Sequence, residues 1–297
     1  MSELQNQGGS MIPALVLTYG NSGGGKTVDC GYSFPNALFI AVRGALQSIE
    51  HTCGYTPAMV TARTIMEATH YLLRYKELGG EYDAIVVDDF SYLAEQTMAD
   101  LEQNHKGFKL WSALRDATLD FREAARYADC HVILNCWDKV PSTKNDGTFV
   151  RGGPMLSGKL PEQLPAMCDL VLRCGMEPMR KPWKGVYLCE QSSQYVMKDR
   201  FKKCYDLSPI PMNLGEILRA SGFQISRLKT LPWQEEVVEN LAQQLLGHDK
   251  PLHLANELYS QLLEKGIEIA AAQWTIRDAL DRSVIRASLN QSEKTFI

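Results

Sequence analysis

The chain has 297 residues, of which 45% are hydrophobic and 22% charged, and its formal net charge is −4. Such values exclude a disordered chain and a globally basic nucleic-acid binder, and the length suits one large domain with a small appendage. Cys30, Cys53, Cys130, Cys136, Cys168, Cys174, Cys189 and Cys204 form no C-x-x-C pair and no zinc-finger spacing. They read as reduced thiols of a cytoplasmic protein, several of them small buried hydrophobes. No apolar run approaches the ~20 residues of a membrane span.

Residues 1–10 form a polar tail. The apolar run Ile12 to Leu17 reads as a buried strand and leads into Gly20-Asn21-Ser22-Gly23-Gly24-Gly25-Lys26-Thr27, a match to G-x-x-x-x-G-K-[ST]. A loop this rich in glycine turns backbone N–H groups toward a triphosphate, and the helix after it points its positive end at the same charge. Lys26 then reaches the β/γ-phosphates and Thr27 the Mg²⁺. The cofactors expected are therefore ATP and Mg²⁺.

Gly31 and Pro35 keep the helix after Lys26 short, and Ala37 to Val42 reads as a second strand. Ile65, Ala68, Leu72 and Tyr75 recur at spacings of three and four, which predicts an amphipathic helix over Thr61 to Leu78 that ends at Gly79-Gly80. Tyr82 to Asp89 is a third strand with an acidic exit. Helical stretches over 91–103 and 108–128 precede a fourth strand, His131 to Cys136. This alternation predicts an α/β fold with a mostly parallel central sheet flanked by helices, its ligands at the carboxyl ends of the strands.

Residues 138–161 are rich in Gly, Pro, Ser, Thr and Lys and read as a long loop or hairpin. Apolar stretches at 168–173 and 185–190, then Tyr195 to Arg200, read as strands closing the sheet. A boundary falls near Ser221 to Pro232, beyond which Glu235 to Leu246, Pro251 to Leu263 and Gln273 to Leu289 read as helices. The expected division is a core over 11–222 and a small helical C-terminal module over 223–297.

Ile85-Val86-Val87-Asp88-Asp89 has the form of a Walker B strand, whose carboxylate is needed to hold Mg²⁺ opposite Thr27. Asp88 is the expected magnesium residue. The two Walker motifs, with Phe34-Pro35-Asn36-Ala37-Leu38-Phe39-Ile40, Pro154-Met155-Leu156-Ser157-Gly158-Lys159-Leu160-Pro161 and Lys198-Asp199-Arg200, resemble RecA-like P-loop ATPases over residues 11–222. They are most similar to the small phage-encoded members linked to single-strand annealing and recombination, which implies DNA as a partner, an oligomeric ring or filament, and the host-cell cytoplasm.

RecA-like enzymes usually carry a glutamate just after the second strand, where this chain has Ala41-Val42-Arg43-Gly44. The water-activating base is therefore sought at Asp89, with Glu95 second. Asn135, ending the fourth strand, is where this class often carries a polar residue that senses the γ-phosphate. Lys198 and Arg200 resemble the pair that such ATPases project into a neighbour's nucleotide, and alternate residues of a strand face the same side. Lys26, Asp89, Asn135, Lys198 and Arg200 are thus the expected catalytic set.

Lys139, Lys144, Arg151 and Lys159, with Trp137 and Phe149 nearby, lie where RecA-like proteins contact single-stranded DNA. In the tail, Leu262 to Ile267 followed by Ala272 to Leu280 resembles a helix-turn-helix. Residues 232–297 hold 6 Lys/Arg against 10 Asp/Glu, however, so docking of a protein partner is favoured over DNA reading. Asn135-Cys136-Trp137-Asp138 fails the guanine-reading N-K-x-D pattern, and ATP is preferred.

Overall fold

Apolar runs of five or six residues become strands buried on both faces, the arrangement parallel sheets require. The computed structural model describes residues 12–53, 55–78, 81–177, 184–189, 192–204, 208–225 and 232–264, with 272, 275–276, 279–280, 282–283, 289–290 and 295–296 beyond them. From β1 (Leu15–Tyr19) the chain passes through the glycine-rich loop into α1 (Lys26–Ser33), β2 (Ala37–Ala41), α2 (Gln47–Cys53) and β3 (Ala58–Thr61). Next come α3 (Ile65–Arg74), a 3-10 turn over Tyr75–Leu78, β4 (Ala84–Asp88), α4 (Phe90–Glu102), α5 (Phe108–Tyr127) and β5 (His131–Cys136).

Short strands β6 (Asp138–Lys139), β7 (Ser142–Thr143), β8 (Phe149–Val150) and β9 (Gly153–Pro154) form a two-tiered hairpin, β6 pairing with β9 and β7 with β8. The chain continues through α6 (Leu160–Met167), β10 (Leu170–Glu177), β11 (Lys184–Leu188), β12 (Lys198–Asp199), β13 (Ile210–Pro211) and α7 (Leu214–Ala220).

The main sheet has nine strands in the order β13-β11-β10-β1-β5-β4-β2-β3, with β12 also on β10. From β10 to β3 every pairing is parallel, and β11, β12 and β13 join antiparallel. Strand β5 lies between β1 and β4, so Asn135 pairs with both Thr18 and Asp88. On one face Leu17, Val87 and Leu134 share a core with Ile65, Leu72, Phe90 and Phe121, the two phenyl rings meeting edge-on at 5.1 Å. On the other face α1 and α7 pack together, with Gly215 close against Ser33. The α/β expectation with a mostly parallel sheet is what the chain adopts.

Local boundaries differ from expectation for identifiable reasons. Thr61 ends β3, and the helix starts at Ile65, where Thr64 caps it by accepting the Glu67 N–H. Strand β3 is the sheet edge and largely exposed, so its four residues lack the buried-strand pattern. Helix α6 takes in Leu160 and Pro161 from the expected loop, because proline is tolerated in a first turn whose N–H groups need no intrahelical acceptor.

The chain divides into two compact units, one of Met1–Thr52 with Thr56–Leu228 and the other of Cys53–Tyr55 with Lys229–Ile297. In the second, α8 (Pro232–Leu245) and α9 (Pro251–Glu264) bury Val238, Leu241, Leu245, Ala255 and Leu258 with Ile276 and Leu280. Ser283 Oγ donates to the Ala242 carbonyl at 2.9 Å. Leu289, expected at the end of a helix, instead lies in β14 (Leu289–Asn290), which pairs with β15 (Thr295–Phe296). The glycine turn of the helix-turn-helix resemblance lies outside the described residues. Among the described residues no helix is long and apolar enough to cross a membrane.

Candidate nucleotide-binding site

The loop from Gly20 to Thr27 leaves the carboxyl end of β1 and closes on α1. Gly25 caps that helix at φ 87°, a left-handed conformation that side chains rarely adopt. A Cβ on Gly20 would lie 2.7 Å from Cys174 Cβ on the neighbouring β10, so only glycine lets the loop leave the sheet this closely. Lys26 is buried, and its Nζ donates to the carbonyls of Gly20 at 2.8 Å and Asn21 at 3.0 Å. Its charge is held over the loop itself.

Ser22, Gly23, Gly24, Gly25, Lys26, Thr27 and Val28 line an open cavity of about 340 Å³ with Ser48, Asp88, Asp89 and Trp137. Thr27 Oγ1 donates to Asp88 Oδ2 at 2.5 Å. Burial raises the Asp88 pKa, an effect opposed by hydrogen bonds from Thr27 and Asn135 and by the Lys26 charge. A hydroxyl and a carboxylate side by side at the start of a P-loop helix are the hard oxygen donors that Mg²⁺ takes, so these residues fit that ion.

Asp89 also borders the cavity. It caps α4, accepting the Tyr92 N–H at 2.7 Å, while burial pushes its pKa up to about 6. Glu95 is exposed and does not line the cavity. Arg43 is exposed in the turn after β2, and residues 42–46 contain no carboxylate.

Asn135 is fully buried beneath the cavity rather than lining it. Its Oδ1 accepts the Thr18 hydroxyl at 2.7 Å, its side chain bonds Asp88, and Nδ2 lies 3.7 Å from Cys30 Sγ. A polar residue at a strand exit looks accessible in sequence. Here the flanking strands β1 and β4 cover it, and its closest hydrogen-bond partner is the Thr18 hydroxyl.

Lys198 and Arg200 are not brought to this cavity. Arg200 is level with Asp169 and Leu15, about 13 Å along β1 from Tyr19 at ~3.3 Å per residue. Lys198 Nζ donates to the carbonyls of Ala166 at 2.9 Å and Cys168 at 2.6 Å, at the end of α6. Arg200 Nη1 donates to Asp169 Oδ1 at 2.7 Å, yet its side chain remains 57% exposed. Asp169 is also held by both terminal nitrogens of Arg126.

Lys139, Lys144 and Arg151 are exposed on the two-tiered hairpin, and Lys159 is exposed at the start of α6. Phe149 is exposed on the same hairpin, and Arg151 Nη2 donates to the Ser192 carbonyl at 2.7 Å. Trp137 belongs with the P-loop cavity, at the base of the hairpin. Neither Trp137 nor Ser48 has a sequence motif that marks it for this site; only the fold brings them there.

Among curated proteins there is no significant match. The crystal structure of the RadB recombinase aligns with 61% of this chain and 83% of its own, at 18% identity and a TM-score of 0.38. A KaiC-like protein from the hyperthermophilic archaeon Pyrococcus horikoshii OT3 aligns with 62% of this chain and 82% of its own, at 15% identity and a TM-score of 0.39. The family model of the AAA domain matches residues 12–201, the stretch that holds the P-loop, Asp88 and the parallel strands, and the chain belongs to that family.

Proposed function

We propose that the chain binds ATP with Mg²⁺ at its P-loop, hydrolyses it, and couples that cycle to assembly on single-stranded DNA in recombination or replication. The observation that carries this reading is the grouping of Lys26, Thr27 and Asp88 around one cavity. The P-loop N–H groups and Lys26 hold the phosphates, and Thr27 and Asp88 hold the magnesium. The ion, when bound, neutralises phosphate charge. Asp89 orients and deprotonates the attacking water, and a pKa near 6 makes it a stronger base than an ordinary carboxylate. Asn135 acts as a positioning residue through Asp88.

The distance of Lys198 and Arg200 from their own P-loop supports a role at the nucleotide of a neighbouring subunit, with a ring or filament as the active form. The exposed cations of the hairpin support phosphate contact, and Phe149 offers a face for base stacking. The recombination setting and the host cytoplasm of a phage-encoded protein rest on the sequence resemblance. The C-terminal unit serves to dock a protein partner.

One observation favours a second reading, a nucleotide-gated assembly protein with marginal hydrolysis. Asp89 is engaged as a helix cap, and the turn after β2 supplies no acid in its place. Steady-state ATPase assays with and without single-stranded DNA, alongside mass measurement in each nucleotide state, separate the two. Stimulated turnover with assembly supports the first; assembly without turnover supports the second. A monomer in every state removes the intersubunit role of Lys198 and Arg200.

A further inference from the structure

Cys189, Asp199 and Cys204 are remote in sequence and converge in the fold. Cys189 follows β11, Asp199 lies in β12, and Cys204 ends the turn after it; all three are buried. Their ligand atoms lie within 4.8 Å of one another, the one such grouping among the described residues. Asp199 Oδ1 accepts the Phe201 N–H at 2.8 Å, and Oδ2 accepts those of Lys203 at 2.6 Å and Cys204 at 2.7 Å. These bonds fix the plane of the carboxylate, as outer hydrogen bonds fix a metal ligand.

We propose that Cys189, Asp199 and Cys204 bind a zinc ion that fastens the end of β11 to β12. Two sulfurs on one tetrahedral zinc lie about 3.8 Å apart, given Zn–S bonds of ~2.3 Å, and this grouping needs only slight contraction to reach that spacing. Sulfur donors favour zinc over magnesium or calcium, which take oxygen. Binding breaks two S–H bonds, forms two Zn–S bonds and one Zn–O bond to the Asp199 carboxylate, and releases two protons to solvent, with no electron transferred. The resulting site carries one net negative charge, and exposed Lys202 and Lys203 in the same turn compensate it. A water fills the fourth position. Because Asp199 stands between Lys198 and Arg200, the ion also steadies the segment that bears both cations.

The test is metal analysis of the untagged full-length protein, followed by Co²⁺ titration after zinc removal. About one zinc per chain and a thiolate-to-cobalt charge-transfer band are expected. Both are lost in the Cys189→Ser, Cys204→Ser double variant and kept in Cys130→Ala. A wild-type protein free of zinc and without the cobalt band overturns the proposal, as does a Cys189–Cys204 disulfide found by non-reducing peptide mapping. The wild-type measurements decide the matter even if the double variant does not fold, and they do not depend on ATPase activity.

Discussion

Thr27 Oγ1 donates to Asp88 Oδ2 at 2.5 Å, joining the first turn of α1 to the exit of β4 across 61 positions of sequence. Lys26 stands beside this pair on the carbonyls of its own loop. Removing any of the three takes away charge or donors aimed at a triphosphate. Lys26→Ala, Thr27→Ala and Asp88→Asn are each expected to lower ATP turnover by about 100-fold or more. Assays at saturating Mg-ATP check this, and retained turnover in Asp88→Asn would exclude Asp88 as the magnesium residue.

Asp89 caps α4 and is also the base proposed for hydrolysis, and different substitutions separate the two. As the cap of α4 it satisfies the Tyr92 N–H, so Asp89→Ala is expected to cost about 1 kcal/mol of stability, while Asp89→Asn keeps the cap. As a base it must be ionised, and with its pKa near 6 turnover rises as pH passes upward through about 6. The expected result for Asp89→Asn is a near-normal melting temperature with turnover lost. Full activity in that variant would assign the base elsewhere.

Asp29 gives a pH dependence of stability with the reverse of the usual carboxylate sign. It is fully buried, accepting bonds from Tyr187 and Ser33 and from the Leu214 N–H, and burial pushes its pKa from 3.8 up to about 6. The folded state therefore keeps a proton that the unfolded state has released. The stability from this group is full below pH 3.8 and is lost as pH rises through about 6, amounting to about 3 kcal/mol. Burial lowers the His131 pKa to about 4, which acts in the opposite direction, but it cancels between wild type and Asp29→Asn. From pH 4 to pH 7 the denaturant midpoint of wild type should fall relative to that of Asp29→Asn. A constant gap would contradict the raised pKa.

Arg200 can be removed at little structural cost, because Arg126 still holds Asp169 with two nitrogens and the Arg200 side chain is 57% exposed. Arg200→Ala is expected to change stability by less than about 1 kcal/mol while reducing turnover. If the cation acts across a subunit interface, mixing Arg200→Ala with Lys26→Ala restores part of the activity, since some interfaces then combine an intact P-loop with an intact arginine. Mixtures no more active than either parent would argue against a shared site.

The strands that position the nucleotide site were legible because parallel strands covered on both faces must be continuous apolar runs, as Val86 and Ile133 illustrate. The P-loop was legible because the phosphate geometry demands glycine and lysine at fixed spacing. Residues whose role depends on tertiary neighbours were not. Asn135 ends its strand as a polar residue in the sequence, and only the insertion of β5 between β1 and β4 shows that it is buried between Thr18 and Asp88. Trp137 is near the basic hairpin in sequence, and the turn out of β5 directs it to the P-loop cavity. Cys189 and Cys204 carried no spacing motif, because the strand pairing that joins β11 and β12 through β10 is long-range.

The proposed DNA contact through the hairpin predicts a salt signature. Replacing Lys139, Lys144, Arg151 and Lys159 by Ala one at a time should reduce the slope of log affinity against log salt by about 0.7 for each phosphate no longer neutralised. Fluorescence anisotropy on a labelled oligonucleotide measures it. An unchanged slope in all four variants would remove the hairpin as the DNA surface.

The most direct test of the central claim is calorimetric titration of ATP into the full-length protein, with Mg²⁺ and with chelator, for wild type and Lys26→Ala. Saturable binding by the wild type, strengthened by Mg²⁺ and lost in Lys26→Ala, is predicted. A wild type that takes up no ATP, or a Lys26→Ala variant that binds it equally well, would contradict the assignment of this cavity as the nucleotide site.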